Sequence, residues 1–322
     1  MLDKKLLWDG KMKSRKNAIR IGILLLVIVV FIIFRYVLTP RVYSGVDYAG
    51  IHWEYNTKTR TLKFKPTQES NGKMGYYEEV DCEGEDEHGS AAPWRKFGNG
   101  CWWRLMPSCR NVVFEKGIRE IGAVTCKGFQ SLSQVKMSDD ILKIDEYAFM
   151  DCTHLSKFQC PPKLKTIDEM AFFNSGIEKI TLNEGLVEIK EFAFSKTNIE
   201  KVVIPDTVSS IEGSFKDCTF LKSVTLSKAL KKIGELTFCG CINLKSINVP
   251  QTVLTIGESA FYGNKKLVHV RLEAKEIEEV SKTAFKKINS EVVVEVPKEK
   301  YDEYKEMLYS HGLPETAKVV AY

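Results

Sequence analysis

A single period constrains this chain more than any other feature. The aliphatic residue that leads into each Ala-Phe-like pair falls at Ile121, Ile144, Ile167, Ile189, Ile211, Ile233, Ile256 and Val280, at successive separations of 23, 23, 22, 22, 22, 23 and 24 residues. Five residues further on stands an aromatic anchor: Phe149, Phe172, Phe194, Phe238, Phe261 and Phe285, with Phe215 one residue early and Cys126 in its place in the first unit. A unit this short cannot bury its own apolar face, so the units must stack on one another in a linear array.

Between the anchors lies a short extended pattern with period two. It reads Leu-x-x-Val-x-Leu at Leu221, Val224 and Leu226, and recurs at Leu155, Phe158 and Cys160, and at Ile177, Ile180 and Leu182. Ile199, Val202 and Ile204 repeat it, as do Leu244, Ile247 and Val249, and Leu267, Val270 and Leu272. Alternation of this kind is a strand with one face buried and one face open. Stacked units then place these strands side by side at ~4.8 Å, forming a continuous parallel sheet along one side of a solenoid.

The formal net charge of +5 is concentrated at the N-terminus. Lys4, Lys5, Lys11, Lys13, Arg15, Lys16 and Arg20 stand against Asp3 and Asp9, so the remainder is neutral overall. That distribution argues against nucleic acid as the partner, since phosphate binding needs a basic face on the folded body. The charge instead flanks an apolar run. Residues 18–38 would form a helix of roughly 31 Å, enough for a ~30 Å hydrocarbon core, and the basic flank places the N-terminus in the cytoplasm. The expected organisation is a basic cytoplasmic tail over 1–17, a transmembrane signal-anchor helix over 18–38 and a β-hairpin N-terminal cap with an acidic loop over 39–110. A solenoid of about eight turns follows over 111–296, and a C-terminal helical cap over 297–322. A cleaved signal peptide has the same basic and apolar regions. Arg35, Tyr36 and Arg41 after the run, with no Ala-x-Ala pattern, favour retention; either reading exports the solenoid.

With these residues in view, the pattern Cys-x-x-Leu-x-x-Val-x-Leu, a turn, then Leu-x-x-Ile-x-x-x-Ala-Phe resembles the BspA-type leucine-rich repeat of bacterial surface proteins. Gly50, His52, Trp53, Thr61 and Leu62, then Ala92, Pro93 and Trp94, and then Val112, Val113 and Ile118 to Gly122 are similar to the opening of such proteins. The resemblance covers about residues 50 to 310. It implies an α/β-type or mostly β solenoid, a right-handed coil with a parallel sheet, preceded here by a single transmembrane helix and a small β cap. It also implies an extracellular interaction or adhesion role and no chemistry.

The residues themselves offer little for catalysis. Cys152, Cys218 and Cys241 occupy one repeated slot facing into the coil, and Cys126 and Cys160 fill apolar slots, so all five are expected to pack as small hydrophobes. Cys82, Cys101 and Cys109 lie in the N-terminal insertion, where one disulfide could form in an oxidising exterior. The acidic run from Glu78 to Glu87 lacks the spacing of a calcium loop and reads as solvated. The five histidines form no metal motif, and no nucleophile or phosphate-binding motif appears. No cofactor and no metal are expected. Pro297 starts a helical stripe through Tyr301, Tyr304 and Leu308 that would close the last turn.

The candidate ligand-binding face is the open side of the sheet. One column reads Gln134, Lys157, Lys179, Lys201, Ser223, Ser246 and His269; its neighbour reads Lys136, Gln159, Thr181, Val203, Thr225, Asn248 and Arg271. Lys157, Lys179, Lys201, Gln159, Thr181, Thr225, Asn248, His269 and Arg271 are the candidate ligand-binding residues. The lysines form a basic ladder suited to an anionic glycan, a teichoic-type polymer or an acidic protein. The same lysines would also keep a long open sheet soluble. Two functions fit this reading: a surface module that binds a host or neighbouring-cell ligand, and an envelope component that docks a partner in its own cell.

Overall fold

The computed structural model describes residues 41–75 and 108–322. The unit comprising Met1–Val42 and Asn56–Lys58 lies almost wholly outside them, as do the expected span over 18–38, the acidic run, Cys82 and Cys101. No helix among the described residues is long and apolar enough to cross a membrane.

Three strands open the described fold: β1 (Val42–Val46), β2 (Ile51–Asn56) and β3 (Thr61–Pro66). They are neighbours in one sheet joined by short connections, which only antiparallel pairs permit. The connection before β2 is set by Asp47, whose carboxylate accepts from Ala49 N–H at 3.0 Å and Ile51 N–H at 2.6 Å. β3 then pairs in parallel with β4 (Asn111–Phe114), Leu62 opposite Val112 and Phe64 opposite Phe114. The hairpins therefore end on a strand that templates the first turn of the repeat.

Each repeat contributes two short strands, and these stack in two columns. The Leu-x-x-Val-x-Leu segments form β6 (Gln134–Lys136), β8 (Lys157–Gln159), β10 (Lys179–Thr181) and β12 (Lys201–Val203). They continue as β14 (Ser223–Thr225), β16 (Ser246–Val249), β18 (His269–Leu272) and β20 (Val293–Val296). The second column holds two-residue strands that end on the periodic aliphatic position. These are β5 (Glu120–Ile121), β7 (Lys143–Ile144), β9 (Thr166–Ile167), β11 (Glu188–Ile189), β13 (Ser210–Ile211), β15 (Lys232–Ile233), β17 (Thr255–Ile256) and β19 (Glu279–Val280). The result is a parallel-strand β-solenoid of about 9 turns, one more than the periodicity suggests, because β20 opens a further turn after the last aliphatic landmark.

Neither column is unbroken, which corrects the expectation of one continuous sheet. The first divides between β6 and β8, and the second between β11 and β13. Both interruptions coincide with irregular repeats. At the first, Cys126 occupies the aromatic slot, and Phe114 meets the Phe149 ring edge-on at 6.2 Å and 85°. At the second, one residue is missing between Ile211 and Phe215, and Gly213 takes the turn position with φ +55°, its Cα lying so close to the Phe192 ring that a Cβ would approach it to 2.5 Å.

The turn that joins the columns is built on left-handed backbone. Tyr147, Met170, Phe192, Leu236 and Ser259 have positive φ, and a second left-handed residue follows four positions later, as at Asp151, Asn174, Lys196, Gly240 and Gly263. Non-glycine residues pay a steric cost of about 1–2 kcal/mol each in this conformation. Regular inter-turn hydrogen bonds offset it: Tyr147 N–H donates to Glu169 O, Phe149 N–H to Ala171 O and Asp151 N–H to Phe173 O at 3.1, 2.7 and 2.9 Å. The same bonds recur around Phe172, Phe215 and Phe238.

Inside the coil the aromatic anchors stack face to face. Phe149, Phe172, Phe194, Phe215, Phe238, Phe261 and Phe285 follow one another at centroid separations between 5.1 and 5.8 Å, with interplanar angles of 7–14°. The repeated cysteine slot lies beside this stack. The thiols of Cys152, Cys218 and Cys241 donate to the carbonyl oxygens of Cys126, Phe194 and Phe215 at 3.2, 3.1 and 3.2 Å. Burial pushes the Cys160 and Cys218 thiols up to about 12, so they remain protonated and pack as small hydrophobes. Cys109 is a buried free thiol, also pushed up to about 12 by burial.

The last open turn is closed by α1 (Tyr301–Ser310), which follows a 3-10 turn over Lys298–Lys300 and buries Tyr304 and Leu308. The Tyr304 hydroxyl accepts from the buried Ile277 N–H at 3.0 Å. A helix alone is not the whole cap. The chain returns as β21 (Lys318–Ala321), which pairs in parallel with β20 and buries Val319, while Leu313 and Ala317 are buried in the connection before it.

Candidate ligand-binding face

Parallel pairing fixes which side chains share the open face. The register sets Lys179 opposite Lys157 and Lys201, and Thr181 opposite Gln159. It continues with Lys201 opposite Ser223 and Val203 opposite Thr225, then Ser246 opposite His269 and Asn248 opposite Arg271. Phe158 and Val202 point into the core from β8 and β12, and Ile180 is half-buried in β10, so the flanking residues of each strand point outward by simple alternation. The two columns read from the sequence are thus two columns in the fold.

Charge divides this face into two regions. Over β8, β10 and β12, Lys157, Lys179 and Lys201 are exposed, and none of the three has an ion-pair partner among the described residues. Their ammonium groups sit in adjacent rungs with Gln159, Thr181 and the 61%-exposed Val203 alongside. One position upstream, at the start of the strands, stand Glu178 and Glu200, of which Glu200 is claimed by Lys222 at 3.0 Å. Sequence reasoning passed over these two glutamates and Lys222; they were visible as a third column one residue before Lys179, Lys201 and Ser223.

Toward the C-terminus the face is internally neutralised. His269 Nε2 lies 3.1 Å from Glu295, and Arg271 Nη1 lies 2.5 Å from the same carboxylate. Arg271 also reaches Glu273 at 3.5 Å, and its guanidinium lies 3.7 Å from the centroid of the Tyr322 ring. Hydrogen bonds from His269 and then Arg271 hold the Glu295 carboxyl below its ordinary value. His269 and Arg271 therefore lie on the expected face, where they are engaged by the closing strands β20 and β21. Thr225 and Asn248, between the two regions, are exposed and uncharged.

Two other charged constellations have structural roles. Asp168, 6% exposed, is held by Lys143 and Lys190, each at 2.9 Å. Burial pushes its carboxyl up, but the bonds from Lys143 and Lys190 outweigh that and hold it below its ordinary value. On the turns, lysines lie over ring faces: Lys196 over Phe173 at 5.1 Å, Lys216 over Phe192 at 5.7 Å and Lys287 over Tyr262 at 5.0 Å. Those rings are covered by their own chain. Among the described residues, no group of three or more His, Cys, Asp or Glu side chains is placed to hold a metal ion.

The repeat decides the family. A profile of the BspA type leucine rich repeat region matches residues 96–218 and 212–311, with 6 copies of the repeat. The chain belongs to the BspA-type leucine-rich repeat family. It is similar to a leucine-rich repeat protein of solved structure from Eubacterium ventriosum, 16% identical, over 80% of this chain and 79% of that one, with a TM-score of 0.40. The T. pallidum leucine rich repeat protein is 16% identical over 85% of this chain and 99% of its own, TM-score 0.34. A leucine-rich repeat protein from Bacteroides ovatus is 15% identical over 87% and 98%, TM-score 0.31. No curated protein matches this BspA-type chain.

Proposed function

We propose that this BspA-type protein is a non-enzymatic binding module displayed at the cell surface. In this reading residues 18–38 span the membrane as a signal anchor, residues 1–17 face the cytoplasm, and the solenoid stands outside, where it engages an extracellular protein or glycan. The observation that carries it is the open face of β8, β10 and β12, where three exposed lysines in register have no ion-pair partner among the described residues. The membership in a repeat family built around scaffold surfaces supports the same reading. The apolar run with its one-sided basic flank supports the topology.

Protease shaving of intact cells carrying a tag after Tyr322 tests this proposal. Loss of a membrane-associated tag is the expected result. A full-length ectodomain found in the medium would replace the anchor by a cleaved signal peptide, and a tag protected from protease would overturn surface display.

A further inference from the structure

We infer that the open face of β8, β10 and β12 binds a linear acidic polysaccharide of the polyuronate type, laid along the solenoid axis across the strands. This inference rests on the reading of the solenoid as an exported binding module, and names its ligand class. Three observations carry it.

The first is spacing. Register-matched residues on neighbouring strands repeat every ~4.8 Å, so Lys157, Lys179 and Lys201 offer one cation per rung. A polyuronate carries one carboxylate on every ring, turned about the chain axis from ring to ring, and the flexible lysine side chains can reach around the chain to meet them. The second is the neighbouring column. Gln159 and Thr181 place an amide and a hydroxyl beside the lysines, and Val203 presents an exposed apolar surface. Amide, hydroxyl and apolar contacts suit sugar hydroxyls and ring faces; a polyphosphate chain would leave them unused. The third is confinement. Glu178 and Glu200 border the lysines on the upstream side, and Arg271 and His269 are already engaged by Glu295, so among the described residues the strip of unpaired lysines on this face is three strands long.

The test uses the full chain purified in a mild detergent, with fluorescent polygalacturonate oligomers as the probe and fully methyl-esterified oligomers, polyglutamate and polyphosphate as comparisons. Binding to polygalacturonate that weakens with salt, and is at least about tenfold weaker in the triple variant Lys157→Ser, Lys179→Ser, Lys201→Ser, is the expected result. Esterified oligomers should not bind. Glu178→Gln should tighten binding, because it removes the bordering negative charge. Unchanged binding by the triple variant, equal binding of esterified oligomers, or tighter binding of polyglutamate or polyphosphate would each overturn the assignment. Circular dichroism on each variant checks that the sheet is intact, and an arginine triple variant that retains binding shows that charge at these positions is what matters. A chain that is shaved from the cell surface yet binds no polyuronate would leave display standing and remove only this inference.

Discussion

Replacing Phe194 by Ala should break the solenoid into two separately unfolding halves. Phe194 is fully buried, stacked on Phe172 at 5.4 Å and 7° on one side and on Phe215 at 5.7 Å and 13° on the other. Truncating a buried phenylalanine costs about 3–5 kcal/mol. Each aromatic contact contributes roughly 0.5–1.5 kcal/mol of that beyond area burial, so ~1–3 kcal/mol belongs to the stack itself. Phe194→Leu keeps most of the buried area and should lose mainly the stacking share. Because each turn touches only its neighbours, damage at one rung weakens the coupling between the turns on either side. The chain carries a built-in reporter for this. All five tryptophans, Trp8, Trp53, Trp94, Trp102 and Trp103, precede β4, so fluorescence reports the N-terminal end while far-ultraviolet circular dichroism reports every strand. In urea the two signals should change together for the parent chain and separate for Phe194→Ala. A loss below ~1 kcal/mol with coincident transitions, or a Phe194→Leu variant as stable as the parent, would refute the reasoning.

Cys126→Phe should destabilise rather than complete the aromatic stack by about 1–3 kcal/mol, seen as a lower urea midpoint, because Phe114 already fills the space against Phe149. Tyr304→Phe leaves the buried Ile277 N–H without its acceptor and should cost about 1–3 kcal/mol at unchanged denaturant slope. The Asp168 carboxyl is held below its ordinary value, so its contribution is present above the unfolded pKa near ~3.9 and is lost as pH falls through the folded value. Urea midpoints of the parent and of Asp168→Asn should therefore converge on acidification below about pH 4, and a constant gap would show that the ion pairs with Lys143 and Lys190 contribute nothing.

The period and the alternation made the solenoid legible before any coordinates. Ile144, Phe149 and Leu155, each a landmark of one repeat, are all buried at 1% or less. What escaped reading was whatever is shorter than a period. The strands of the second column hold two residues each, too few for alternation to register. The left-handed turns escaped for a different reason. Tyr147, Met170 and Phe192 are residues that sequence logic places almost anywhere but at positive φ, and they adopt it because the inter-turn hydrogen bonds on either side fix the backbone path. β21 is a third case: its four residues carry one buried valine, and only the open edge of β20 turns them into a strand.

The site was legible in direction and not in partnership. Alternation tells that Lys179 and Arg271 both face outward, and the register confirms that they share a sheet face. Whether an outward charge is available depends on residues 24 positions away, one turn on, and the repeat conceals that by making every turn look alike. Glu295 sits opposite Arg271 in β20, whereas the rungs facing Lys179 hold Lys157 and Lys201. The same sheet face therefore carries a closed ion cluster at one end and open cations at the other. Exchanging the two arrangements tests the argument directly: Glu295→Gln should free Arg271 to recruit anions to β18, while Gln159→Glu should quench the β8 end of the ladder. Measured by salt-dependent retention of the full chain on an anionic support, the first variant should elute later than the parent and the second earlier. Each variant changes the net charge by one, so the shifts should exceed those of the same charge change made off the sheet; equal shifts would show that net charge rather than its arrangement on the sheet governs what this face attracts.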